Sequence, residues 1–80
     1  MALIPANVFS ADPEDRQKAV ELNNSAIELE KQGRIPEAIE SYQKAIQLDP
    51  AMANTYSNLA NLFARRGDYA EAGQYYEKAI

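Results

Sequence analysis

Apolar side chains along the first half of the chain recur at helical spacing. Leu22 and Leu29 lie two turns apart on one helical stripe, and Gly33 follows as a residue suited to ending a helix. Upstream, Asp12-Pro13 is typical of a helix start, because aspartate caps free amide groups and proline suits the first helical position. This pattern predicts a first helix from about residue 12 to about residue 32.

Three more helices are predicted downstream. Ile35-Pro36 opens the second, which runs to about Leu48 and ends because Pro50 has no amide hydrogen to continue the ladder. The third is expected over roughly residues 52–66, and the fourth from about Tyr69 to the C-terminus. Connections of about two to four residues make neighbouring helices antiparallel. The predicted fold class is all-α, built from antiparallel helix–turn–helix pairs.

The sequence repeats itself after 34 residues. Ten of 28 positions are identical when residues 19–46 are compared with residues 53–80. They are Ala19/Ala53, Asn24/Asn58, Ala26/Ala60, Gly33/Gly67, Glu37/Glu71, Ala38/Ala72, Tyr42/Tyr76, Lys44/Lys78, Ala45/Ala79 and Ile46/Ile80. A fixed period of this size indicates stacked supersecondary units.

Both copies resemble the tetratricopeptide repeat family in their spacing of large, small and aromatic residues. The second copy matches with Tyr56, Leu59, Ala60, Phe63, Gly67, Ala72, Tyr76 and Ala79. The first matches with Leu22, Ala26, Leu29, Gly33, Ala38, Tyr42, Ala45 and Pro50, and Ser25 replaces the expected leucine. The resemblance implies a short right-handed solenoid of about four helices over residues 12–80. Residues 12–52 would form a first repeat with an extended first helix, and residues 53–80 an incomplete second repeat.

Composition limits the chemistry that the chain can perform. It has no cysteine and no histidine, so we expect no transition-metal site, no cofactor and no catalytic residue, and we predict that the chain is not an enzyme. The net charge of −4 argues against binding nucleic acid or an anionic membrane. Without a recognisable signal sequence or membrane-spanning run, a cytoplasmic or nuclear location is expected.

The resemblance also implies where a partner binds. In this family the first helix of each pair lines a concave groove, which takes an extended peptide or a partner helix. The groove positions expected here are Asn23, Asn24, Ile27 and Lys31 from the first pair and Asn54, Ser57, Asn58, Asn61 and Arg65 from the second, with Val20, Glu30 and Ala64 on the same side. The predicted function is therefore a scaffold for protein–protein interaction.

Asparagine is frequent in this set, and its side chain both donates and accepts hydrogen bonds. Asn58-Leu59-Ala60-Asn61 resembles the repeats of O-linked N-acetylglucosamine transferase, in which asparagines form a ladder along the backbone of a bound chain. Asn24 and Asn58 share that repeat position; the alternative is that asparagine is simply common on this helix. The carboxylate clamp found in chaperone-binding members is not intact here, because Asn23 and Ile27 stand at its positions.

Lys31 and Arg65 stand one period apart. They either attract an acidic peptide or are ordinary solvated cations near helix ends.

Both ends of the chain suggest further contacts. Residues 1–11 are predicted to be extended or flexible, and their large apolar residues (Leu3, Ile4, Val8 and Phe9) either belong to a solvated tail or cover an apolar surface on this chain or on a neighbour. At the other end, Tyr75, Tyr76, Ala79 and Ile80 form an expected exposed edge. The chain is therefore expected either to be part of a longer array, such as the substrate-recruiting arm of a glycosyltransferase, or to form a homo-oligomer.

Overall fold

The computed structural model of the chain contains four α-helices and describes residues 12–80. The helices are α1 (Pro13–Lys31), α2 (Ile35–Leu48), α3 (Ala53–Arg65) and α4 (Tyr69–Ala79). No strand occurs within residues 12–80, so the predicted all-α class and its four helices are confirmed. The segment 1–11, predicted to be extended or flexible, lies outside the described residues.

The helix ends use the residues that the sequence pattern singles out. Asp12 caps α1 by accepting a hydrogen bond from the amide of Asp15 at 2.8 Å. Gly33 and Gly67 have φ angles of 78° and 87°, in the left-handed region that glycine adopts without a Cβ penalty. The two glycines therefore turn the chain in the same way at the same point of both repeats.

Each repeat is an antiparallel pair held together by facing alanines. α1 packs against α2, and α3 against α4. Ala26 and Ala38 are fully buried in the first pair, and Ala60 and Ala72 are buried in the second. Because a methyl side chain keeps little space between two helices, these positions set the close approach within each pair.

The two pairs share one hydrophobic core. α2 packs against α3, and the core cluster joins Ile39 and Tyr42 of α2 to Leu59, Leu62 and Phe63 of α3. Tyr42 and Leu59 are completely buried. The stacking of one pair on the next therefore buries large side chains that neither pair could cover alone.

The tyrosines at one shared repeat position differ between α2 and α4. Tyr42 is fully buried, whereas Tyr76 is 41% exposed. The ring that packs inward is Tyr75, which stacks on Phe63 at a centroid distance of 5.5 Å and on Tyr56 at 6.4 Å. Tyr42 is buried because α3 lies over it, and within residues 12–80 no helix takes the corresponding place over α4.

The expected C-terminal edge is accordingly smaller than predicted. Tyr75 packs half-buried against the core, so it does not belong to the exposed edge. Ile80 is fully exposed, Tyr76 is exposed and Ala79 is half-buried.

Candidate functional site

The first helices of the two repeats are joined by side-chain hydrogen bonds. The Thr55 hydroxyl and the Asn58 amide nitrogen both donate to the side-chain oxygen of Asn23, at 3.1 Å and 3.2 Å. Further along, Arg65 donates to a carboxylate oxygen of Glu30 at 2.8 Å. α1 and α3 are therefore linked by side chains between Asn23 and Glu30 of α1 and between Thr55 and Arg65 of α3, as a shared binding surface requires.

A mostly polar surface runs along these two helices, which we call the α1–α3 face. Its residues recur at intervals of three and four, so that they lie on one side of each helix. They are the exposed Asn24, Lys31, Asn54, Asn61 and Arg65 and the half-buried Ile27, Ser57 and Asn58. Eight of the nine predicted groove residues thus remain at least partly accessible.

Asn23 is the exception, because it is only 4% exposed. Its position one residue before Asn24 rotates it by about 100° toward α3, where it accepts the hydrogen bonds from Thr55 and Asn58. The expectation that Asn23 lines the groove was wrong: its side chain is enclosed between the repeats. Its contact with Asn58 instead fixes the orientation of a residue on the α1–α3 face.

Asn58 and Asn61 have complementary hydrogen-bonding capacity left for a ligand. The amide nitrogen of Asn58 donates one of its two hydrogens to Asn23, so Asn58 can offer a ligand its side-chain oxygen and one remaining N–H. Asn61 accepts a hydrogen bond from the Tyr76 hydroxyl, so its amide nitrogen is the group that it can offer. An acceptor and a donor one helical turn apart match the N–H and C=O groups of an extended peptide backbone.

The two predicted cations of this face are both paired with carboxylates. Arg65 lies 2.8 Å from Glu30, and Lys31 lies 3.5 Å from Glu28. Glu30 also accepts a hydrogen bond from the buried Tyr42 hydroxyl at 2.6 Å. Burial, this hydrogen bond and the negative charge of Glu30 together raise the pKa of Tyr42 above its ordinary value. The pairing reduces the positive field that an acidic peptide would meet.

Thr55 is a residue of this region that the sequence reasoning missed. It is completely buried, and its hydroxyl bridges the two repeats through Asn23. Little in the sequence signals this role, because Thr55 follows Asn54 and stands two residues before Ser57, and only its burial shows that the hydroxyl needs a polar partner. That partner comes from the preceding repeat, so the pairing appears only when the repeats are stacked.

Neither a metal site nor a membrane helix is found in residues 12–80. No group of three or more carboxylate, histidine or cysteine side chains in this part of the chain could hold a metal ion. None of the four helices is sufficiently long and apolar to cross a bilayer.

Comparison with known proteins agrees with this architecture. A family profile described as "TPR repeat" matches residues 28–67, and one described as "Tetratricopeptide repeat" matches residues 55–80. The chain belongs to the tetratricopeptide repeat family. The two TPR matches together cover residues 28–80, which are the last turn of α1 and all of α2, α3 and α4.

Relatives with curated names are much longer than this chain. Protein O-mannosyl-transferase TMTC1 is 36% identical over 53 residues, in both its Mus musculus and Homo sapiens forms. The matched stretch is 66% of this chain and 6% of those proteins. Serine/threonine-protein phosphatase T of Schizosaccharomyces pombe is 41% identical over 56 residues, which are 70% of this chain and 12% of that protein. The TPR chain therefore spans a small part of each relative.

Proposed function

We propose that this TPR chain is a non-catalytic interaction module that binds an extended segment of a partner protein along the α1–α3 face. TPR repeats generally mediate protein–protein interaction, and this sets the class of partner. The finer proposal is that side-chain amides hold the partner by its backbone. The observation that carries it is the acceptor of Asn58 beside the donor of Asn61, with Asn58 fixed by the buried Asn23.

Backbone recognition fits the chemistry of the surface better than charge recognition does. Arg65 and Lys31 are already paired within the chain, so a partner gains little from carrying acidic residues. Asn24 of α1 and Asn54 of α3 are exposed on the same face, and they extend the row of amides. A row of amides contacts the repeating N–H and C=O groups of an extended chain, so it tolerates many side-chain sequences.

The test begins with peptides selected from a random phage-displayed library on the full chain. The recovered peptides are titrated by calorimetry into the parent and into Asn58→Ala/Asn61→Ala. Loss of two neutral hydrogen bonds should weaken binding by about 1–3 kcal/mol, and N-methylation of the peptide backbone should weaken it more than replacement of most side chains by alanine.

The matched control is Gln43→Ala/Gln74→Ala, which removes two exposed amides from α2 and α4. This variant should bind like the parent. Equal peptide affinity of the parent and of Asn58→Ala/Asn61→Ala would show that the amide row does not bind the partner. Circular dichroism of each variant shows whether the helices are retained.

A second candidate function is self-association through the C-terminal edge. The exposed Tyr76 and the fully exposed Ile80 support it, because large apolar groups in water favour contact with another surface. Light scattering over a range of concentrations tests it, with Tyr76→Gln/Ile80→Gln as the variant. A concentration-dependent mass that the variant abolishes would support self-association, and a constant monomer mass would exclude it.

The names of the relatives suggest a setting for either function. Proteins named as a transferase and a phosphatase contain stretches similar to this one over 6% and 12% of their length. In such a setting the chain would serve as a substrate-recruiting arm, and the chemistry would lie in other sequence. Adding the isolated chain in excess to such an enzyme should compete for substrate protein and leave small-molecule turnover unchanged.

A further inference from the structure

An open pocket of about 250 Å³ lies between α1 and α2 in the first repeat. It is lined by two leucines of α1 and four polar residues of α2, namely Leu22, Leu29, Glu37, Glu40, Ser41 and Lys44. At about 100° per residue, Leu22 and Leu29 project from α1 on roughly the opposite side from Asn24 and Lys31. The pocket is therefore separate from the α1–α3 face, and a ligand in it would be bound independently of that face.

The second repeat shows which group fills the equivalent space. Its Tyr75 ring stacks on Phe63 with an interplanar angle of 5° and on Tyr56 with an angle of 27°. These three residues lie 34 positions after three residues of the pocket lining, respectively Ser41, Leu29 and Leu22. The first repeat has a serine where the second has that ring, so the pocket lies at the place of an aromatic side chain.

The first repeat leaves apolar surface uncovered at this place. Tyr56 and Phe63 are only 8% and 5% exposed, whereas Leu22 and Leu29 at the same repeat positions are half-buried. Ser41 is too short to cover the two leucines, and its hydroxyl is engaged because it donates to the Leu22 carbonyl at 2.8 Å. Since a cavity of about 150 Å³ lined by apolar side chains holds a benzene molecule, this pocket of about 250 Å³ has room for one phenol ring.

Both repeats place a lysine beside the site of the ring. In the second repeat the Lys78 ammonium nitrogen lies 5.5 Å from the centroid of the Tyr75 ring, which is within the range of a cation–π interaction. Lys44 has the same repeat position and lines the pocket, where it pairs with Glu40 at 3.2 Å. Because such a pair between exposed side chains is weak, Lys44 can turn from Glu40 to the face of a bound ring. The cation favours an aromatic group over an aliphatic one of the same size.

We propose that this pocket binds a tyrosine side chain of a partner protein, with the ring against Leu22 and Leu29 and the Lys44 ammonium group over its face. The class of occupant follows from the second repeat, in which the same space holds a tyrosine beside a lysine. The lining does not select a charged ligand, because its remaining carboxylate, Glu37, is paired with Arg34. The pocket gives the first repeat a contact point on the side away from the α1–α3 face.

Methyl NMR of the full chain, labelled with carbon-13 at the leucine methyl groups, provides the test. The probe is N-acetyltyrosinamide, which is uncharged and carries its side chain between two amide groups as a polypeptide does. It should shift the methyl signals of Leu22 and Leu29 upfield, with a Kd on the order of millimolar for so small a ligand, and should show nuclear Overhauser contacts to them. The methyl signals of the buried Leu59 and Leu62 should not move.

Three variants separate the pocket from its surroundings. Ser41→Tyr fills the pocket with the residue of the second repeat and should abolish the response to the probe. Ser41→Ala leaves the space open and should preserve it. Lys44→Met keeps a long side chain without its charge and should weaken binding of the tyrosine probe about two- to fivefold. The same variant should leave the affinity for N-acetylcyclohexylalaninamide unchanged, because a saturated ring has no π face.

Peptides extend the test from the probe to a polypeptide partner. They are selected from a random phage-displayed library on Asn58→Ala/Asn61→Ala, which lacks the proposed amide row. Those that contact the methyl groups of Leu22 and Leu29 should carry a tyrosine. Replacing that tyrosine by alanine should weaken their binding by about tenfold or more, since the buried ring is lost.

Four outcomes would overturn the proposal. Absence of contacts between the probe and the methyl groups of Leu22 and Leu29 in the parent chain, which needs no variant, shows that tyrosine does not enter. Binding that survives Ser41→Tyr in a variant with helical circular dichroism places the probe elsewhere. An equal loss of affinity for both probes in Lys44→Met shows that the ring face is not recognised. Shifts of the same methyl signals on concentrating the chain alone assign the pocket to a second copy.

Discussion

The two repeats place identical residues in different surroundings. Tyr42 and Tyr76 share a repeat position, yet Tyr42 is fully buried beneath α3 and Tyr76 is 41% exposed. Ile46 is half-buried, and Ile80, its counterpart, is fully exposed. The residue type is the same in both pairs, so the burial of these positions depends on whether a further helix packs over them.

The two repeats also differ on the side of the first helix that faces the preceding repeat. Leu59 is completely buried because α2 lies against α3. Ser25, at the equivalent position of α1, is exposed, and its hydroxyl suits water where leucine would not. Repeat positions therefore fall into two classes: those buried within a pair, which are alike in both repeats, and those buried between pairs, which differ.

The largest expected effect comes from removing the shared tyrosine. Tyr42→Ala should lower the free energy of unfolding by about 3–5 kcal/mol, because it empties a fully packed site. Tyr76→Ala should change it by no more than about 0.5–1 kcal/mol, since much of the ring is already in water. Urea denaturation followed by circular dichroism measures both. If both variants lost the same free energy of unfolding, Tyr76 could not be exposed in solution as it is in the structure.

The next comparison is between Asn23, which is buried between the repeats, and Ser57, which holds the same repeat position in α3. Asn23→Ala should cost about 1–3 kcal/mol, because it leaves the buried Thr55 hydroxyl and the Asn58 amide without their acceptor. Ser57→Ala, which changes the same repeat position in α3, should stay within about 0.5 kcal/mol. Both values come from urea unfolding. A neutral Asn23→Ala would mean that water replaces the lost acceptor at the interface.

The phenol of Tyr42 gives the comparison a pH dependence. Its pKa is raised by burial and by Glu30, so above the ordinary value near 10 the folded state holds the proton more tightly than the unfolded state does. The stabilising contribution is complete below pH 10 and is lost as the pH rises, at no more than about 1.4 kcal/mol per pH unit. Tyr42→Phe should make the decline in the free energy of unfolding above pH 10 shallower.

If the free energy of unfolding declined equally steeply above pH 10 in the parent and in Tyr42→Phe, the result would contradict a protonated, buried Tyr42. The decline should not vanish in the variant, because burial also raises the pKa of Tyr56, followed by the effects of Tyr75 and Asp49.

The smallest effect concerns the two cations that share a repeat position. Arg65 bridges the repeats by pairing with Glu30, whose side chain is only 17% exposed. Lys31 pairs with Glu28 within α1, and both of those side chains are well exposed. Arg65→Ala should cost about 0.2–1 kcal/mol and Lys31→Ala less, with the difference reduced at high salt. A double-mutant cycle with Glu30→Gln isolates the pair, and a coupling energy of zero would remove it as a link between repeats.

Much of the α1–α3 face could be predicted from the sequence, because helical spacing determines which residues share one side of a helix. Asn24, Asn54 and Asn61 were expected to be accessible and are exposed. Asn23 was misplaced because spacing alone does not tell how far α3 leans over the edge of that side. The pairing of Arg65 with Glu30 was also not predicted, since the two residues come from different repeats.

The pocket that Leu22, Leu29 and Ser41 line in the first repeat could not be predicted from the sequence for a similar reason. Ser41 is an ordinary polar residue of α2 in the sequence, and the aromatic pattern drew attention to Tyr42 and Tyr76. That Tyr75 is the ring stacked on Phe63 depends on how α4 is rotated about its axis. This rotation is decided by packing against α3.

The amino-acid sequence by itself determined the four helices, their ends at Gly33 and Gly67, and the close alanine contacts within each pair. These features depend on local backbone preference and on neighbours in the same repeat, and both recur with the period of 34 residues. Only the tertiary structure decided that Tyr42 is buried while Tyr76 is exposed, and that Asn23 binds Thr55 instead of a partner. Those outcomes depend on surface that one repeat removes from water on the other, and contacts of this kind are not encoded in either repeat alone.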